Sequence, residues 1–228
     1  LSLSEEVGGN VTDYLPVQEV RDLIRYADDI YLKFGAPDKV FGKSDKFAEQ
    51  VSYEAHKHNI KLIPCPVRHM GTEYSFEVLR EMYRYLSSRE SFEFREYTKA
   101  DTIEIENGRA VGVWLIGRDG ERRLEKARYI VAAPGRGGAE WLTSIARANS
   151  LQTINNAVDI GVRVEVPNAV MDHLTKNLYE AKLVYYSDTF ENKVRTFCMN
   201  PGGIVSEEHY EGGVGGKGIA VVNGHSYA

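Results

Sequence analysis

Hydrophobic residues recur at three- and four-residue intervals in the first third of the chain and at alternate positions through most of the remainder. Between residues 14 and 34, Val20, Leu23, Ile24, Ala27, Ile30 and Tyr31 share one side of a 3.6-residue spiral, and Gly35 with Pro37 beyond it supplies a stop. The same spacing predicts a second helix over 44–57, ended near His58 and Asn59. A short strand, Ile60–Ile63, follows and is broken by Pro64 and Pro66. A third helix is expected over 75–87, with Phe76, Leu79, Met82, Tyr83 and Leu86 on its apolar face.

From residue 91 the period drops to two. Residues 91–95, 101–105, 110–116 and 121–124 read as successive strands. Asn107-Gly108 and Asp119-Gly120 lie between the later ones, and both are expected to form type I′ turns, which need positive φ at both central residues. Residues 128–133 read as an apolar strand entering a turn that contains Gly135, Gly137 and Gly138, followed by a helix over 139–146. Bare glycine N–H groups between a strand end and a helix start can face an anion, usually a phosphate. Residues 158–166 alternate as a strand, Pro167 opens a short helix to Leu174, and 182–186, 193–199, 203–205 and 219–222 are further strands. The expected class is α+β, with a helix-and-meander domain over 1–150 and a β-rich domain over 151–228.

Composition narrows the function classes. The 228 residues are 43% hydrophobic and 27% charged, which is ordinary for a soluble globular chain. A net charge of −5 with scattered lysines and arginines gives no footprint for nucleic acid, and no apolar run is long enough to span a membrane. Leu1 is followed by polar residues with no apolar signal segment, so the Asn10-Val-Thr12 sequon reads as chance. Cys65 and Cys198 are too few and too far apart for a disulfide framework or a thiolate metal site, so a reducing cytoplasm is expected. The start at Leu1 and the stop six residues after Val222 lead to the expectation of an internal piece of a longer protein.

The chemistry-bearing residues each have a bland reading beside a functional one. Gly213-Val-Gly-Gly-Lys-Gly218 fits G-x-G-x-x-G, yet it precedes a strand where the fingerprint requires a helix, so it reads as a loop. It fails as a nucleotide-phosphate loop because Gly218 follows Lys217 where Ser or Thr is needed. Gly135-Arg-Gly-Gly-Ala-Glu140 has Glu140 at the third glycine position, which leaves a structural turn and a cofactor contact both open. His56 and His58, two apart, suit no helical zinc pair. His69 precedes Met70-Gly71-Thr72 at a helix start and can face an anion or a planar ring. Cys198 reads as a buried structural cysteine or as lining for a substrate face, together with Asn200, Gly202 and Gly203. Arg163 and Glu165 share one strand face as an ion pair or, for Arg163, a carboxylate clamp.

Thr102-Ile-Glu-Ile-Glu-Asn-Gly-Arg-Ala-Val-Gly-Val-Trp114 and Tyr129-Ile-Val-Ala-Ala-Pro-Gly-Arg-Gly-Gly138 resemble the latter part of flavoproteins of the glutathione reductase type, which carry two dinucleotide-binding domains. With Asp159-Ile-Gly-Val-Arg-Val-Glu-Val-Pro167, Thr196-Phe-Cys-Met-Asn-Pro-Gly-Gly-Ile-Val205 and Val221-Val-Asn-Gly-His-Ser-Tyr227, the chain resembles a family of bacterial FAD-dependent dehydrogenases along nearly its whole length. The resemblance implies an FAD cofactor, contacted at the adenine by the backbone of Ala100 and at the turn by Pro134, Gly135, Arg136 and Gly137. It implies hydride transfer with a small-molecule substrate, with NAD(P)H as a further partner; it names no catalytic base and no metal. One departure stands out: no strand, G-x-G-x-x-G and helix precede these motifs, so Gly135 and Gly137 would be half of an FAD site. Alone, the chain is then expected to be inactive, and a flavin-free binding module is the alternative.

Overall fold

The structure is a computed structural model that describes residues 1–7, 9–43, 45–155, 158–211 and 217–223. In chain order the elements are α1 (Val17–Lys33), α2 (Asp45–His56), β1 (Ile60–Ile63), α3 (Gly71–Ser87), β2 (Lys99–Glu106), β3 (Arg109–Ile116) and β4 (Arg122–Lys126). They continue with α4 (Ala139–Ala148), α5 (Asn168–Leu178), β5 (Lys182–Tyr186), β6 (Lys193–Arg195), β7 (Val205–Glu211) and β8 (Lys217–Asn223). The class is mixed α and β. Cα packing divides the chain into two compact units: Leu1–Ser88 with Arg163–Ser206 and Val222–Ala228, and Arg89–Val162 with Glu207–Val221.

In the first unit, α1 ends as its sequence dictates. Gly35 takes φ +98°, Ala36 N–H donates to Tyr31 O (3.0 Å) and Gly35 N–H to Leu32 O (3.1 Å), the paired closing bonds that a left-handed glycine permits. The sheet is β1-β5-β6 and antiparallel, with Ile60 opposite Tyr185 and Ile63 opposite Lys182. Leu62, Leu178 and Ala181 form its core, with Phe47, Ala48 and Val51 of α2 packed against them. Each leucine buried there contributes about 1.5–3 kcal/mol. A second cluster, Cys65, Val67 and Tyr179, is flanked by Val7 and Phe41.

A buried cation fastens this unit. The Arg68 guanidinium donates to both carboxylate oxygens of Asp28 (2.5 and 2.7 Å) and to the Pro37 carbonyl (2.6 Å), joining α1 and its following loop to the chain between β1 and α3. Both members are largely withdrawn from water, where a charge is tolerated only when it is paired and hydrogen-bonded.

The apolar face expected for α3 points outward. Phe76, Leu79, Tyr83 and Leu86 are 63%, 63%, 47% and 41% exposed, whereas Val78, on a different side, is fully buried. The helix also begins four residues earlier than expected, at Gly71, and the Ser75 hydroxyl bonds the Gly71 carbonyl (2.6 Å).

The second unit contains the meander β2-β3-β4. Asn107 and Gly108 take φ of +50° and +75°, the expected type I′ pair. The second hairpin differs: only Gly120 is positive (φ +77°), Gly120 N–H bonds Gly117 O (3.0 Å), and Gly117 N–H bonds Glu121 O (3.2 Å). This is a turn followed by one left-handed glycine, the three-residue alternative to a type I′ loop.

Three expected strands do not form. Residues 91–95, 128–133 and 158–166 have no strand assignment and belong to no sheet among the described residues. Val131 is 90% exposed. Alternation tells a strand which face to bury, but a strand exists only where a neighbour accepts its backbone bonds. The strand expected over 193–199 ends at Arg195; beyond it Thr196 N–H still donates to Leu183 O of β5 (2.9 Å), and the remaining bonds use side chains and a turn. Its successor begins at Val205 because 200–203 are that turn.

Candidate functional site

In the first unit α5 gathers the residues expected on the substrate side. At its start, the Asn168 side-chain carbonyl accepts from Gly202 N–H (3.3 Å). Gly203 N–H bonds Asn200 O (3.0 Å) and Gly202 has φ +64°, so Asn200-Pro201-Gly202-Gly203 is a tight turn that uses glycine where left-handed backbone is required. A Cβ at Gly203 would displace the Asn200 side-chain amide.

At the other end of α5 the chain turns without glycine. Tyr179 takes φ +60° and ψ −61°, and Glu180 N–H bonds Leu178 O across it (2.7 Å), a γ-turn of the rare, positive-φ kind. Such backbone costs roughly 1–3 kcal/mol in a bulky residue. The surroundings hold it: the Tyr179 ring is buried, lies 5.3 Å from the Phe41 centroid and stacks on His69 at 4.1 Å and 23°. Tyr179 Oη is 3.2 Å from His69 Nε2.

Residues 196–199 close on the same turn. The Thr196 hydroxyl donates to Ala181 O (2.5 Å) and accepts from Leu183 N–H (2.9 Å), and the Met199 sulfur accepts from Ala181 N–H (3.4 Å). The Lys182 ammonium bonds Glu180 (3.0 Å) and Phe197 O (3.2 Å). His69 and the 196–203 run, more than a hundred residues apart, are therefore both fastened to one turn. His69 also lines an open depression of about 410 Å³ with Met70, Gly71, Thr72 and Ser75. Its stacking partner Tyr179 was not signalled by the sequence, because the left-handed position is held by tyrosine itself and not by the glycine or asparagine that usually marks such a cap.

The two cysteines differ in burial. Cys198 is exposed, against the buried reading, because β6 stops before it and its run follows the surface of the turn. Cys65 is the buried one; burial pushes its thiol pKa up, and its sulfur lies 3.7 Å from the Ser2 hydroxyl. It is an inert packing group.

In the second unit, Ala100 sits in β2 opposite Leu115. The register slips between Ala100 and Thr102, which leaves Asp101 out of the ladder, and its carbonyl accepts from Trp141 Nε1–H of α4 (2.7 Å). The Asp101 carboxylate also holds Arg122 (2.8 Å). The Trp141 bond ties the helix following the glycine turn to the residue beside Ala100. The turn is exposed at Pro134, Gly135 and Gly137, and Arg136 opens a single 3₁₀ turn ending at Gly138. Gly135 has φ +64° with open space where a Cβ would lie, and a Cβ at Gly138 would run into the Pro134 ring. Glycine is needed at Gly135 for its positive φ and at Gly138 to clear the Pro134 ring, and the open side of Gly135 leaves its backbone approachable.

Of the G-x-G-x-x-G match, Lys217 and Gly218 begin β8 while 213–216 lie outside the described residues. Among the described residues no group of three or more His, Cys, Asp or Glu could hold a metal ion, and no helix is long and apolar enough to cross a membrane. No protein-family model, curated protein or solved structure matches the chain.

Proposed function

We propose that this chain is part of an FAD-dependent oxidoreductase of the dehydrogenase type and carries the second half of its dinucleotide site. The observation behind this reading is the Trp141–Asp101 bond, which links the glycine turn at α4 with the strand residue beside Ala100. In this reading the Ala100 backbone meets the adenine edge, and Gly135 and Gly137, with Pro134 and Arg136, bring backbone to the dinucleotide. FAD, when bound, supplies hydride acceptance, generally at N5.

The remaining work falls to the substrate side. His69 holds a proton at a ring nitrogen and is oriented by Tyr179, while Asn200, Gly202, Gly203 and Cys198 belong to the run that is bonded to the turn just after Tyr179. NAD(P)H serves as a further partner of the longer protein, and the setting is cytoplasmic. The competing reading is a flavin-free module for a small molecule or protein. It is favoured by one observation, that residues 128–133 form no strand ahead of the turn.

Flavin fluorescence separates the two. Titrating the chain into FAD should give weak, saturable quenching with a dissociation constant of about 0.1–1 mM, equivalent to roughly 4–5.5 kcal/mol. ADP should compete, and Gly135→Val should weaken binding by about tenfold through lost backbone approach. A flat titration, or a Gly135→Val variant that binds as well as the parent, overturns the reading.

A further inference from the structure

Two aromatic residues take positive φ, Tyr179 (+60°) and Tyr97 (+53°). Burial and ring packing hold the first. Tyr97 has no such surroundings: it is 73% exposed and lies in the turn just ahead of β2. Positive φ is an outlier for a bulky residue, and glycine takes it freely. The turn is closed by a neighbour, the Thr98 hydroxyl donating to Glu96 O (3.1 Å). Burial and backbone therefore give no reason for tyrosine at this position.

The ring does have a partner on one face. Arg118 lies over it, with the guanidinium carbon 5.0 Å from the centroid. The sheet register places this contact: Lys99 is opposite Ile116 and Ala100 opposite Leu115, so the residues entering β2 run beside those leaving β3. With a cation on one face and most of the residue in water, the other face of the ring is open. Ala100 is three residues away, at most about 11 Å along the chain.

We propose that Tyr97 is the stacking platform for the adenine ring whose edge meets the Ala100 backbone. The proposal rests on the flavin reading and supplies its adenine end with a side chain. Backbone groups at Ala100 fix the edge of a base but leave both its faces to water. An aromatic ring covers one of them, and base–aromatic stacking is strong enough to matter at the weak affinity expected of half a site. Arg118 backs the tyrosine ring, so the platform is ordered before a base arrives and little side-chain freedom is lost on binding. Backbone strain that packing does not explain has a reason at a ligand contact.

Binding and stability measured on the same variants test this. FAD quenching and ADP calorimetry are followed for the parent, Tyr97→Phe, Tyr97→Gly and Arg118→Ala. Tyr97→Phe keeps the ring and should hold both affinities within about twofold. Tyr97→Gly should weaken FAD and ADP alike by roughly tenfold. Its urea midpoint should change little, because the φ strain it relieves offsets the exposed Arg118 contact it loses. Arg118→Ala should weaken both ligands by about threefold through a less ordered ring. A parent that binds neither FAD nor ADP sinks the flavin reading and the platform with it. A parent that binds FAD, with Tyr97→Gly binding it equally well, overturns the platform alone and leaves the flavin reading standing. Loss of FAD without loss of ADP also overturns it, as does a fall in the Tyr97→Gly midpoint large enough to account for the lost affinity.

Discussion

The two three-stranded sheets contain the same number of strands but are assembled from different information. The meander β2-β3-β4 joins neighbours in sequence through two tight turns, so local alternation and three glycine positions nearly determine it. Gly112 shows how locally it is fitted: a Cβ there would sit 2.6 Å from the Glu125 carbonyl of β4. The sheet β1-β5-β6 instead joins residues 60–63 to 182–186, and its closure relies on contacts with no local signature. Those contacts are the Arg68–Asp28 pair, the γ-turn at Tyr179 and the Thr196 hydroxyl. A locally encoded sheet survives the loss of any single long-range bond, whereas a long-range sheet concentrates its stability in a few polar fasteners.

The strongest test of that contrast removes Arg68. Arg68→Ala leaves the Asp28 carboxylate buried without its bidentate partner, and breaking such a pair costs about 3–5 kcal/mol. Amide exchange should accelerate in α1, β1 and β5 and stay unchanged in β2, β3 and β4. Uniform acceleration across both sheets would show that the units do not differ in the way the contacts imply.

The reciprocal test is smaller. Trp141→Phe keeps the ring packing but removes the donor to the Asp101 carbonyl, a loss of about 0.5–1.5 kcal/mol. Exchange should rise around Asp101 and α4 and not at β1 or β5. If FAD binding is also measured on this variant, a loss larger than the stability change would mark the bond as positioning Ala100 against the turn.

The same division explains what could be read in advance. The ends of α1 at Gly35 and of the first hairpin at Asn107-Gly108 were legible because the residue that permits the geometry is the residue that signals it. The second hairpin was legible as a turn but not as its type, since Asp119-Gly120 is compatible with both loop lengths. The strand expected at 158–166 carries alternation and the one at 128–133 a continuous apolar run, but neither pattern provides a neighbour. Of the site residues, Gly135 carried a local signal, since its turn takes a positive φ, whereas Ala100 was named by the resemblance alone. Cys198 and the outward face of α3 went against expectation, because burial is decided by what packs opposite. Tyr179 had no signal at all: strain held by distant neighbours leaves no mark on the local pattern.

The thiols give the finest discrimination, because one belongs to the long-range core and the other to its surface. An aromatic disulfide reagent should react with Cys198 at once and with Cys65 only as fast as the connection between β1 and α3 opens. Burial raises the Cys65 pKa, so the folded state favours the neutral thiol. That contribution is intact below the ordinary thiol value of about 8.5 and is lost as pH climbs from there through the higher folded value. The urea midpoint of the first unit should therefore fall between neutral and strongly alkaline pH by more in the parent than in Cys65→Ala. Equal slopes, or equal labelling rates for the two cysteines, would mean that the Cys65–Val67–Tyr179 cluster opens freely and that the fasteners around it hold less than their geometry implies.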